Sequence, residues 1–335
     1  MKSSTLLLGI LPLALAGCMD PDGPGNLVPK TVMEDPTLPR LEIGGAVLHA
    51  ESFGPAGAPT VIVLHGGPGA DYASLMPLKA LADTDGFHVV FWDQRGTGLS
   101  QRFDRDSYTI AGYLDDLRLV VEKTVAPGAP FVFIGHSWGG MYATSFINDH
   151  GDYDGRLRGA VLSEPGGFTK KQLEDFLARY FTAGQLTSEL LNDATWSGQF
   201  MSPDDHARAD YLDAQLTLRG APAEHRHLDN PPPFWRLGAV VLSRLPELAM
   251  EQGFDWTTNL HAFTHKVLFL RGELNDAAPL WQQQQLAASY PSAEVITIPG
   301  AGHEMVWEQP ETYLAHVRTY FTQIGFTSAA SGVAQ

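Results

Sequence analysis

The chain is poor in cysteine, in positive charge and in long apolar runs. One cysteine, Cys18, stands among 335 residues, so an internal disulfide is excluded and stability must come from a packed core. Lys and Arg number 22 against 38 Asp and Glu, a formal charge of −16. That balance argues against nucleic acid as a partner and against an electrostatic hold on anionic lipid. It suits neutral or cationic substrates. The apolar run Leu6–Leu15 is too short to span a bilayer. No His, Cys or carboxylate grouping has metal-ligand spacing, so neither a metal nor an organic cofactor is implied. There is no internal repeat.

The first residues read as a targeting segment. Lys2 precedes the apolar run, and Leu15-Ala16-Gly17-Cys18 follows it, the pattern of a signal peptide over residues 1–17. The place of Cys18 resembles the lipobox of bacterial lipoproteins. That resemblance implies a lipidated Cys18 at the new N-terminus and a membrane reached through the lipid. The implied location is the cell envelope. Met19, where an aspartate retains many such proteins at the inner membrane, points to the outer membrane, with the domain facing periplasm or exterior. Residues 18–40 carry Pro21, Pro24, Pro29, Pro36 and Pro39 and read as an extended tether.

Beyond the tether, strands and helices alternate. Leu41–Phe53 reads as a hairpin turning at Gly44-Gly45. Thr60–Leu64, His88–Trp92, Phe131–Ile134 and Leu157–Ser163 read as strands. Ile110, Tyr113, Leu114, Leu117 and Val121 recur at helical spacing, with Asp115, Asp116, Arg118 and Glu122 expected on the solvated face. The pattern predicts a mostly parallel α/β sheet. It breaks between Gly166 and about His261, where Thr169–Gln172 matches a capping box and Ser202–Asp205 a second helix start. Leu237–Leu245 is a further apolar stretch. Alternation returns with Val267–Arg271, a helix from Pro279, Glu294–Ile298 and a last helix from Pro310 to about Ile324.

Chemistry concentrates at Gly135-His136-Ser137-Trp138-Gly139-Gly140. A serine between glycines at a strand-to-helix corner is a nucleophile elbow. Gly135 and Gly139 are the flanks a tight turn requires. His136 is expected to pack or hydrogen-bond beside the nucleophile. A serine hydroxyl needs a base, and the base an acid to orient it. His303, on the Gly-rich loop Gly300–Gly302 after the last strand, is the expected base. His65-Gly66-Gly67-Pro68-Gly69 follows a strand as an oxyanion turn would. The expected donors are the N–H groups of Trp138 and Gly67.

Over residues 41–325 the chain resembles the α/β-hydrolase superfamily. Within it H-G-G-P-G at 65–69, D-Q-R-G-T-G-L-S at 93–100 and G-H-S-W-G-G at 135–140 resemble the proline iminopeptidase group of serine peptidases. The resemblance implies an α/β-hydrolase fold with an eight-stranded, mostly parallel sheet and an inserted helical cap. The core would comprise 41–165 and 262–325, the cap 166–261 and a tail 326–335. Asp93 and Arg95 are expected to pin their loop through a buried charge pair.

Two departures stand out. The family places its triad acid in a pattern like G-E-x-D-x-x-x-P, where this chain reads Gly272-Glu273-Leu274-Asn275-Asp276-Ala277-Ala278-Pro279. Asn275 falls on the acid's place. Asp276 serves if the loop shifts. Glu164 serves if the acid comes from the end of the neighbouring strand, as in certain haloalkane dehalogenases. The second departure lies in the cap. The family holds the substrate's amine with cap glutamates, and no motif singles out one of Glu174, Glu189, Glu224, Glu247 and Glu251. If Asp276 is the acid, Glu164 itself becomes a candidate for the ammonium. Phe234, Trp235 and Trp256 are candidates to line a proline pocket. The expected activity is acyl transfer from a small-molecule or short-peptide substrate, as an N-terminal prolyl aminopeptidase. The alternatives are an esterase or lactonase and a non-catalytic binding lipoprotein. Enzymes of dehalogenase or epoxide hydrolase type carry an aspartate where this chain has Ser137.

Overall fold

A computed structural model describes residues 28–180, 206–207, 209–211 and 232–328. The expected signal peptide, Cys18, the helix start at Ser202–Asp205, Glu189, Glu224 and most of the expected tail lie outside the described residues.

Eight strands form one open sheet: β1 (Arg40–Ile43), β2 (Ala46–Phe53), β3 (Thr60–Leu64), β4 (His88–Trp92), β5 (Phe131–His136), β6 (Leu157–Ser163), β7 (Val267–Gly272) and β8 (Ala293–Ile298). Their spatial order is β1-β2-β4-β3-β5-β6-β7-β8. The pairs β1–β2 and β2–β4 are antiparallel and all the others parallel. The buried strands β3 (TVIVL) and β4 (HVVFW) read as continuous apolar runs because helices cover both faces of a parallel sheet. The helices are α1 (Ala80–Asp83), α2 (Ile110–Thr124), α3 (Trp138–His150), α4 (Lys170–Tyr180), α5 (Ala239–Gln252), α6 (Leu280–Ala287), α7 (Met305–Glu308) and α8 (Pro310–Gln323). Two apolar clusters form the core. One gathers Trp92, Phe133, Tyr142 and Phe146, the other Phe91, Leu268, Tyr313 and Phe321.

Local chemistry sets several boundaries. Thr109 caps α2 by accepting from the Gly112 N–H at 3.0 Å. Thr169 and Gln172 form the capping box of α4 reciprocally. Thr169 Oγ1 accepts from the Gln172 N–H, and Gln172 Oε1 accepts from the Thr169 N–H. Helix α3 starts at Trp138, directly after Ser137, so the serine is the corner itself.

Three expectations need correction. Asp116 is not on a solvated face: it is 1% exposed and forms a two-pronged pair with Arg95 at 2.7 and 2.5 Å. Asp93 and Arg95 do not share one charge pair, since Asp93 meets His49 Nδ1 at 2.8 Å and accepts from the Leu99 and Tyr72 N–H groups. The described part of the tether, 28–40, is not free of the domain. Thr31 and Val32 are buried, and the Val32 N–H donates to the Leu99 carbonyl.

Candidate active site

Parallel strands deliver their following loops to one edge of the sheet, where such folds bind ligands. The loops after β3, β4, β5, β6, β7 and β8 all contribute here. Ser137 follows β5 with φ 53° and ψ −117°, a left-handed conformation that costs a non-glycine residue strain. The corner is held by the Ser137 N–H donating to the Ser163 carbonyl at 2.7 Å. Its flanks must be glycine because of what they touch. A Cβ on Gly139 would sit 2.0 Å from the Leu64 carbonyl oxygen, and one on Gly135 2.4 Å from that of Gly139.

The loop after β3 packs directly on this corner. A Cβ on Gly66 would lie 3.1 Å from the Ser137 Cβ and 3.0 Å from His136 Nδ1. Gly67 takes φ 115°, in the region that favours glycine, and the Gly67–Pro68 peptide is cis. The Trp138 N–H, first in α3, has no carbonyl one turn back to bond. Trp138 thus follows the serine directly, and the turn that carries Gly67 packs on it through Gly66.

The loop after β8 brings His303 to the same place. His303 is 6% exposed, and its ring lies 4.6 Å from that of His136, the residue before the serine. His136 Nε2 donates to the His303 carbonyl at 2.9 Å. Burial, above all, lowers the His136 pKa and keeps this ring neutral.

Of the two candidate acids, Glu164 is the one that meets His303. Its Oε2 lies 2.6 Å from His303 Nδ1, and it is fully buried. Asp276 is exposed on the turn after β7, so the expectation that it orients the histidine is not met in this structure. The register explains the placement of Glu164. Ser163 pairs with Leu270 across β6 and β7, which carries Glu164 level with the end of β7. There its Oε1 accepts from the Gly272 N–H at 2.7 Å. Glu164 has φ 48°, a second non-glycine residue held in a strained backbone. Asn275 donates its Nδ2 to Glu164 Oε2 at 2.6 Å, and its Oδ1 accepts from the Ala277 N–H. Asn275, in the place where an acid was expected, thus holds the carboxylate that faces His303.

Glu164 is thus engaged by His303, Asn275 and Gly272. Of the glutamates in the expected cap, Glu247 pairs with Arg105 and Arg244, and Glu174 with Lys170 at 3.8 Å. Trp235 edges against Tyr72 and His49, and Trp256 edges against Trp138 and lies tilted on Phe254.

Sequence reasoning missed Gln94. Fully buried between Asp93 and Arg95, it donates its Nε2 to the His65 carbonyl at 3.0 Å and accepts from the Trp138 indole N–H at 2.9 Å. The signal was its place inside the D-Q-R-G motif, where only the charged neighbours drew attention.

Comparison with known proteins places this architecture. The model of the alpha/beta hydrolase family matches residues 61–316, and the chain belongs to that family. It is 25% identical over 304 residues to the proline iminopeptidase PfmaB of Pestalotiopsis fici, covering 84% of this chain and 98% of that protein. Among solved structures it resembles a thermophilic esterase from Thermogutta terrifontis (TM-score 0.56, 22% identity, 85% of this chain and 99% of that one). It also resembles the enol-lactonase from Burkholderia xenovorans (TM-score 0.58, 20% identity, 85% and 100%).

Proposed function

We propose that this member of the alpha/beta hydrolase family is a serine hydrolase that works by acyl transfer. The observation that carries this reading is the chain Glu164–His303 beside a strained Ser137 at a strand-to-helix corner. His303 turns Nδ1 to Glu164, which leaves Nε2 as the atom to take the serine proton. As Ser137 Oγ bonds to the substrate carbonyl carbon, that proton passes to His303. The carbonyl oxygen becomes an oxyanion facing the N–H groups of Trp138 and Gly67. Collapse breaks the bond to the leaving group, which departs with the proton from His303. Water then attacks the acyl-enzyme and gives a proton to His303, which passes it to the departing Ser137 Oγ as the acid is released.

For the substrate we favour an N-terminal prolyl residue, as an aminopeptidase would cleave it. The support is the likeness to a proline iminopeptidase over nearly its whole length and the motifs at 65–69, 93–100 and 135–140. A second reading, an esterase or lactonase on small acyl compounds, is favoured by the engagement of Glu164 and Glu247 with other partners. The residues at 15–18 support an envelope lipoprotein, lipidated at Cys18 and held at the outer membrane.

The deciding experiment compares prolyl-aminomethylcoumarin, its N-acetylated form and p-nitrophenyl acetate, with Ser137→Ala as control. Cleavage of the free-amine substrate alone, lost in the variant, supports the aminopeptidase. Serine-dependent ester cleavage without prolyl amide cleavage replaces it with the esterase. No cleavage of any of them, and no labelling of Ser137 by a fluorophosphonate, removes the hydrolase reading.

A further inference from the structure

Two separate loops supply the expected oxyanion donors, and one side chain joins them. We propose that Gln94 is a positioning residue that sets the spacing of the oxyanion site. The proposal rests on the serine hydrolase reading above.

Gln94 follows β4 and is fully buried. On one side its Nε2 donates to the His65 carbonyl at 3.0 Å, and its backbone N–H donates to His65 Nε2 at 3.0 Å. His65 opens the Gly66-Gly67 turn, and its Nδ1 donates to the Gly66 carbonyl at 2.9 Å. On the other side Gln94 Oε1 accepts from Trp138 Nε1 at 2.9 Å. Trp138 is the first residue of α3, whose backbone N–H is the second expected donor.

The orientation of the amide is dictated at both ends. An indole N–H only donates and a backbone carbonyl only accepts. The atom facing Trp138 must therefore be oxygen, and the atom facing His65 must be nitrogen. Glutamate would lose the donor toward His65, and methionine would lose both contacts. His65 is fixed as well. To accept from the Gln94 N–H its Nε2 must be unprotonated, and burial, its largest influence, lowers its pKa in that direction.

The arrangement matters because oxyanion donors act only within a narrow range of distance. The grip of Gln94 falls one residue before the turn on one loop and on the side chain of the donor residue on the other. Its loss lets the two donors drift apart while the substrate's other contacts persist. The cost should appear in the transition state and not in ground-state binding.

The test uses the full chain and p-nitrophenyl acetate, with a trifluoromethyl ketone as the transition-state analogue. Gln94→Met should lower kcat by about 10- to 100-fold and leave KM within about threefold. Affinity for the ketone should fall by the same factor as kcat/KM. Trp138→Phe, which keeps the ring stack and the backbone N–H but removes the indole donor, should give a loss of the same kind. The double variant should be little worse than the worse single one, since both remove one link. The proposal is overturned if KM rises while kcat holds, if the ketone binds Gln94→Met as tightly as the parent, or if the two losses multiply. Should Gln94→Met fail to fold, Gln94→Glu keeps the length and the Trp138 contact but loses the donor to His65, and the kcat, KM and ketone readings apply to it as a single variant. Fluorophosphonate labelling of Ser137 in the parent tests the serine hydrolase reading separately.

Discussion

At the scale of single residues, Glu164 carries the most weight. It is fully buried and accepts from the Gly272 N–H and the Asn275 amide while facing His303. A buried carboxylate needs such partners, and a histidine that accepts a proton needs the negative charge. Glu164→Gln should lower kcat by roughly 10²- to 10⁴-fold, whereas Asp276→Asn, altered on the exposed side of the turn, should leave it within about twofold. Steady-state rates on p-nitrophenyl acetate for the two variants check this, and the reverse ranking would return the acid's role to Asp276. The sequence made Ser137 and His303 legible because each sits in a short glycine-bearing motif after a strand. It left open which carboxylate meets His303, because that depends on where β6 and β7 fall in register. The contact between Asn275 and Glu164 spans 111 residues, and no local pattern announces it.

At the scale of elements, strand positions were legible from apolar runs bounded by turns, and β3, β4 and β6 coincide with their expected bounds. The buried face of α2 was only partly legible. Helical spacing shows which residues face the sheet, but not that Arg95 descends from another loop to claim Asp116. Charge buried between elements also governs pH response. His65 follows β3 and His136 ends the neighbouring β5, and burial lowers both below the ordinary 6.5. The unfolded chain takes up their protons first as pH falls, so they withdraw stability below about pH 6.5. Asp71 works in the opposite sense. Its carboxylate accepts from the Ala73, Trp235 and Arg236 N–H groups, joining the loop after β3 to the segment before α5. Burial first, then Asp93, pushes its pKa up to about 7. Its contribution is therefore fullest below pH 3.8 and lost as pH rises through about 7. Asp71→Asn removes that opposing response. Urea midpoints measured from pH 7 to 5 should then fall more steeply in the variant than in the parent. Parallel slopes would mean that Asp71 is ionised in the folded protein across this range.

At the scale of the whole molecule, three separate parts of the chain close around one buried arginine. Arg236 donates its Nε to Asp210 at 2.8 Å and an Nη1 hydrogen to the Pro29 carbonyl at 2.8 Å, with Glu34 at 3.4 Å. Arg102, from the loop after β4, reaches the same Asp210 at 3.0 Å. The N-terminal segment, the region between β6 and β7 and the sheet's own loops are thus tied together. Composition pointed the other way, because prolines and few apolar residues describe a tether. The two residues of the stretch that are buried, Thr31 and Val32, are too few to shift that balance. The docked stretch should also stabilise the fold. Without residues 28–35, Val32 no longer buries its side chain, worth about 1.5–3 kcal/mol. Arg236 loses a carbonyl partner and its contact with Glu34, worth on the order of 1.5–3 kcal/mol more. For a chain of this size roughly 3 kcal/mol corresponds to a melting shift of about 4–5 °C. Calorimetry on a chain starting at residue 36 should show that drop against one starting at residue 28. Equal melting temperatures would mean that Arg236 finds other partners and that the segment is only a passenger on the domain.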